Sequence, residues 1–206
     1  MTTITVTIIL GIFLFIYIVY NIVYTYTEVT YAKSDIDGNL YMIRRGNNKS
    51  PEFLKESANT LALINQRIEK LIKHLNQNYG NDESKNYFIK KLTKNYNPYM
   101  ISEAAIDPRY TTYTVDKKDM HICLRTRDKY EKVYDINVLM YVCLHESSHL
   151  CNYTKDGEAI QGHGDEFKHI FKFLVEESIK IGTYEYINYS ENPTEYCNIT
   201  INSTIL

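Results

Sequence analysis

The chain opens on an apolar run. From Ile4 to Tyr24 no side chain is charged, and Ile, Leu, Val, Phe and Tyr dominate, a length that crosses the hydrocarbon layer as a helix. Tyr17, Tyr20 and Tyr24 crowd its C-terminal end, where amphipathic rings favour the interface, and Asn21 lies near the same edge. No basic stretch precedes the run and no small-x-small site follows it, so it reads as an uncleaved anchor rather than a signal peptide. Lys33, Arg44 and Arg45 follow the span with no Lys or Arg before it, which favours a cytoplasmic domain.

Beyond the anchor the period changes. Thr25 to Arg45 alternates polar and apolar residues around Asp37-Gly38, predicting a hairpin or an extended stalk. Ser50-Pro51-Glu52 supplies an N-cap, a first-turn proline and an acid at the positive helix end. Phe53, Leu54, Leu61, Ile64, Ile68, Leu71, Ile72 and Leu75 then recur at three- and four-residue spacing until Gly80, predicting one amphipathic helix. A shorter helix is expected over Glu83 to Thr93, followed by an irregular stretch bracketed by Pro98 and Pro108. Tyr110 to Asp116 and Met120 to Arg125 are β-prone and predict an antiparallel hairpin across Lys117-Lys118-Asp119. Asp135 caps a helix that is apolar nearly all round, from Ile136 to Leu144, and so belongs in the interior. A last helix starts near Asp165 and ends at Gly182, and the tail from Tyr184 to Leu206 reads as extended or irregular. The expectation is an α+β fold: an anchor over 1–27, a juxtamembrane segment over 28–50 and one domain over 51–206, with helices and a small antiparallel sheet.

Composition narrows this only slightly. The 206 residues suffice for one domain core and not for two catalytic domains. With 23 Lys plus Arg against 25 Asp plus Glu, the net charge of −2 offers no general attraction for nucleic acid. Cys123, Cys143, Cys151 and Cys197 contain no C-x-x-C pair, and two fall in the apolar helix, where cysteine acts as a small hydrophobe; a disulfide framework is not indicated. Sequons at Asn48, Asn152, Asn188, Asn198 and Asn202 carry little weight in a chain this rich in Asn and Thr.

The chemistry concentrates at His145-Glu146-Ser147-Ser148-His149. Four-residue spacing puts both imidazoles on one helix face, where they can share a metal, with Glu146 beside them. The third donor expected is His163, in Gly162-His163-Gly164, whose glycines permit the backbone to swing a ring back toward the helix, with Phe167 packed underneath. Burying Glu, two His and two Ser on an apolar helix costs several kcal/mol unless a partner such as a metal satisfies them. His74, His121 and His169 are assigned no role.

His145-Glu146-x-x-His149 followed by Gly162-His163-Gly164-Asp165-Glu166-Phe167-Lys168 resembles the SprT-like and WLM zincin metallopeptidases, over roughly Tyr110 to Gly182. Membrane-anchored proteins of similar kind are encoded by large DNA viruses, which extends the expected location to a virion or host membrane. The resemblance implies a minimal zincin fold with its metal-binding core over 110–182. It also implies Zn²⁺ on His145, His149 and His163, and hydrolysis of a protein or peptide substrate with Glu146 as general base. Tyr153 and Tyr196 are phenols available near such a site, and neither is singled out. Two other readings stand beside this one: a protease acting on DNA-bound proteins, and a non-catalytic, membrane-anchored interaction protein with a structural metal site.

Overall fold

The computed structural model describes residues 3–46, 50–105 and 111–206; the sequon Asn48, Pro108 and the predicted strand start at Tyr110 lie outside them. The apolar run forms helix α1, Thr3–Glu28. Its 26 residues rise about 39 Å at 1.5 Å each. The window Val6–Val23 has a mean hydropathy of 2.5 and nothing packed over it, so α1 is long and apolar enough to cross a membrane.

Strands β1 (Val29–Lys33) and β2 (Leu40–Arg44) follow as an antiparallel hairpin, register Tyr31 to Met42. The turn is closed by Ser34 and Asn39, and Gly38 takes φ 75°, which the Asp-Gly signal anticipates. The hairpin is no free stalk, because Tyr41 and Ile43 are buried in the core.

Helix α2 (Pro51–Tyr79) starts where Ser50 accepts the Phe53 amide, as its cap chemistry predicts. Leu61, Ile64, Ile68, Leu71 and Leu75 are fully buried along one face, each contributing about 1.5–3 kcal/mol of burial. Helix α3 (Asn86–Asn95) is the shorter helix expected after Gly80. Helix α4 (Ile136–Cys151) is capped by Asp135, which accepts the Asn137 amide at 2.8 Å, and packs against α2, α3 and α5 (Asp165–Lys180). Gly182 ends α5 with φ 69°.

The sheet departs from the expected antiparallel pair. Strands β4 (Tyr113–Val115) and β5 (Asp119–Ile122) do pair antiparallel, but a third strand, β3 (Ile101–Glu103), lies parallel on the other side of β5, giving the order β3-β5-β4. Three residues carry too little alternation to announce a strand. The tail is also more ordered than expected: β6 (Thr194–Tyr196) and β7 (Ile199–Ile201) form a hairpin whose turn residues Cys197 and Asn198 both have positive φ. A disulfide joins Cys123 to Cys197 across 74 residues, against the expectation from spacing; a loop of that size is worth about 4 kcal/mol. Cys143 and Cys151 are free and buried, as small hydrophobes.

One buried charge cluster fastens the hairpin to the sheet. Arg125 grips Glu103 with two bonds, Nε to Oε1 at 2.7 Å and Nη2 to Oε2 at 2.9 Å, and also donates to the Arg44 carbonyl. The Arg44 amide donates to Glu103 at 2.9 Å, and its guanidinium lies 3.4 Å from Glu131. Burial pushes the Glu103 carboxyl up, while Arg125 and Arg44 pull it back. Arg44 is 3% exposed, so it is a paired interior charge rather than the membrane-flanking cation its position suggested. Removing one member strands the others, so Arg125→Ala should cost about 3–5 kcal/mol in chemical denaturation of the detergent-solubilised protein. Lys155→Ala, at an exposed site, should stay within about 0.5 kcal/mol; equal losses would show that the cluster is dispensable.

Candidate metal centre

The centre is built from one helix turn and one loop. His145 and His149 project from the same face of α4, their ring centroids 5.0 Å apart. After α4 the chain runs through a short bridge between Tyr153 and Ala159 and returns at Gly162, whose φ of 77° few other residues adopt. Gly164 needs no such freedom: its φ is −65°, and it is simply the residue that opens α5. This return carries His163 onto the α4 pair. Its Nε2 lies 3.0 Å from that of His145 and 3.1 Å from that of His149, and the three ligand atoms all fall within 4.8 Å of one another.

Phe167, from the first turn of α5, floors the cluster. Its ring centroid is 4.9, 4.4 and 4.7 Å from those of His145, His149 and His163, and it is itself buried. Phe171 closes the His145 side at 5.3 Å. Lys117, in the β4–β5 turn, donates to the His149 and Asn152 carbonyls at 2.5 and 3.2 Å, placing a cation on the negative end of α4. Asp116 and Lys117 both take positive φ there, which bends the turn toward the helix.

Glu146 is 6% exposed and accepts a 2.7 Å bond from Thr114 of β4. Ser148 bonds back to the Leu144 carbonyl at 2.8 Å, while the Ser147 hydroxyl is buried with no hydrogen-bond partner. Burial pushes Glu146 up to about 7, against the Thr114 bond. Burial, then the neighbouring His149 and His163, drives His145 down to about 3; burial, His163 and Lys117 drive His149 down to about 4. Both rings are therefore neutral near pH 7, the state in which imidazole binds metal.

Two clefts meet at the cluster. One, of about 420 Å³, is walled by His145, Glu146, His163, Thr112, Tyr141 and the C-terminal residues Ile199 to Ile205. The other, of about 520 Å³, lies against β4 and the Asp116-Lys117 turn and includes His149. The remaining histidines stay outside. His121 bonds Ser102 across β3–β5 at 2.8 Å and stacks on Tyr113; His169 is exposed. His74, expected on a solvated face, pairs with Glu177 at 2.5 Å and helps join α2 to α5. Asn152 is fully buried, so its sequon cannot carry a glycan. Tyr196 is buried against Thr112, and Tyr153 lies beneath the Lys91 and Lys117 ammonium groups.

The class defined so far is an α+β domain behind one apolar N-terminal helix, with three converged imidazoles. The profile of the Phycodnaviridae minor capsid protein P4 family matches residues 45–195, and the chain belongs to that family. An uncharacterized protein of Acanthamoeba polyphaga mimivirus is 35% identical over 183 residues, covering 88% of this chain and 87% of its own. A protein of Invertebrate iridescent virus 6, also uncharacterized, is 26% identical over 161 residues, 76% of this chain and 82% of its own. No solved structure matches.

These relationships overturn the likeness to SprT-like and WLM peptidases, and with it peptide hydrolysis as the function: the matching family is one of capsid proteins. The physical reason is that H-x-x-x-H with a returning third histidine is what chelation from a helix requires, whatever the ion then does. The motif encodes ligand geometry, and the hydrolase reading added a use that it does not contain.

The metal-free protein should show a defined pH dependence. The folded pKa values of His145 and His149 lie below the ordinary 6.5, so the stability linked to them is complete above about pH 6.5 and is lost as pH falls toward 4. Glu146 runs oppositely: raised from 4.5 to about 7, its contribution is complete below about pH 4.5 and is lost as pH rises through 7. Two protons outweigh one, so the melting temperature should fall between about pH 6.5 and 4.5, and Glu146→Gln should steepen that fall from about one net proton to about two. An unchanged slope in the variant would remove Glu146 from this balance.

Proposed function

We propose that this chain is a membrane-anchored structural component of a large-virus capsid, in which α1 holds the bilayer and the domain docks neighbouring capsid proteins. The observation that carries this reading is the family match over residues 45–195, which contains helices α2 to α5, the three-stranded sheet and all three histidines. The apolar α1, with no side chain of its central window packed against the domain, supports the anchor. The non-basic charge balance gives no support to a nucleic-acid role.

Within this reading His145, His149 and His163 hold Zn²⁺ as a pin between α4 and the start of α5. Zn–N bonds of about 2.0–2.1 Å in a tetrahedral arrangement separate two ligand nitrogens by about 3.3 Å, close to the 3.0 and 3.1 Å found. A bound zinc would satisfy three inward-facing lone pairs at once, with water completing the shell. The reading takes α4, α5 and the β4–β5 hairpin as a zincin-like cradle put to structural use.

Metal analysis of the full-length protein in detergent should give about one zinc per chain, falling to near zero in His163→Ala. The protein should remain with capsid shells after the particles are opened, and neither wild type nor Glu146→Gln should cut an unfolded protein above background. Absence from purified particles, or cleavage by the wild type that Glu146→Gln abolishes, would refute the structural role.

A further inference from the structure

The C-terminal segment is tied down at its start and then runs along the metal cleft. At its start, Cys197 is bonded to Cys123, its amide donates to the Tyr134 hydroxyl at 2.7 Å, and Tyr196 pairs with Thr112 at 2.5 Å. At its end, Thr204 and Ile205 line the metal cleft together with Tyr141 of α4. Beyond the tie at its start, Ile199 to Ile205 form one wall of the cleft that contains His145, Glu146 and His163. Ile201 and Ile205 are only partly buried against the core, and Asn202 and Ser203 are exposed. Among the described residues little besides this tie keeps the strap in place: a three-residue strand pair and two half-covered isoleucines contribute weakly.

We infer that residues 198–206 are an oxidation-locked wall of the metal cleft, closed in the disulfide form and released in the dithiol form. The inference rests on the zinc reading only for its effect on the metal; the strap's attachment stands on geometry alone. The locking step is thiol–disulfide exchange. The Cys123 and Cys197 thiols give up two electrons and two protons to a disulfide-bearing oxidant, which leaves as two thiols while one S–S bond forms in the chain. Cys123 and Cys197 are 4% and 1% exposed, so the lock is set as the tail hairpin docks and is protected from reductants afterwards. The redox state of the compartment where the chain folds thus decides whether the cleft is walled.

The test uses full-length protein in detergent, loaded with zinc, prepared either oxidised or with a phosphine reductant present from expression onward. Hydrogen exchange of residues 199–206 should be on the order of tenfold faster in the reduced form, with α4 unchanged. Zinc extraction by a chromophoric chelator should accelerate by a similar factor. Cys197→Ser, which removes the bond without a reductant, should loosen residues 199–206 to the same extent, and it decides the matter if the reduced protein fails to fold. Equal exchange in both redox forms, or no loosening in Cys197→Ser, overturns the strap. Preparations that bind no zinc but show the exchange difference would overturn the metal pin and keep the strap.

Discussion

The structure turns on a helix that is buried over most of its surface and yet carries His145, Glu146, Ser147, Ser148 and His149 in its last two turns. A buried polar group without a partner costs on the order of 1–3 kcal/mol, so each of these must be accounted for. Ser148 turns back onto its own helix, and Glu146 takes a bond from β4. The two imidazoles find no partner on their own helix, and the surroundings bring them a third: the glycine-enabled return and the Phe167 floor hold His163 in place, while Lys117 caps the end of α4. Three nitrogens so close repel one another when protonated, and the depressed values of His145 and His149 express that repulsion together with burial. His145 and His149 are thereby kept neutral near pH 7, the form in which imidazole binds a cation.

Chelation and hydrolysis impose different demands, and only the first is visible in this chain's motif. Two histidines one helical turn apart and a third on a returning loop follow from ligand geometry. Turnover requires in addition a substrate path, an oxyanion donor and a base poised near neutrality. Glu146, raised to about 7, and the two clefts at the cluster supply some of these parts here, but the spacing of the motif encodes none of them. Membership in a capsid family is compatible with such a site, since a metal bound there would stabilise the domain by its binding free energy whether or not anything is turned over.

What was legible in the sequence was local. Ser50-Pro51, Asp135, Asp37-Gly38 and Gly182 each mark an element boundary through the chemistry of a few adjacent residues, and the structure uses all four. His145, His149 and His163 were readable for the same reason, being confined to 19 consecutive residues in which helix period and glycine punctuation fix the geometry. The features that escaped depend on residues far apart. Arg125 and Glu103 are 22 positions apart, and Cys123 and Cys197 are 74 apart. The parallel partner of β5 is only three residues long. Periodicity carries no information about such pairings. Arg44 shows the consequence: counted from sequence it is a cation flanking the membrane, and only its burial beside Glu103 and Glu131 reveals that it is spent inside the fold.

The same long-range ties also secure the junction between α1 and the domain. No residue intervenes between the end of α1 and the start of β1, so any load passing from a bilayer into the domain enters through the first hairpin. That hairpin is held by the Arg44 amide and carbonyl, which bond Glu103 and Arg125, and by Tyr41 and Ile43 in the core. Pulling Arg44 away would leave Glu103 and Arg125 buried with fewer partners, a loss of about 3–5 kcal/mol. The charge cluster thus lies on the only covalent route from α1 into the described core, where a protein fixed in a membrane and docked to a shell would have to resist being pulled apart.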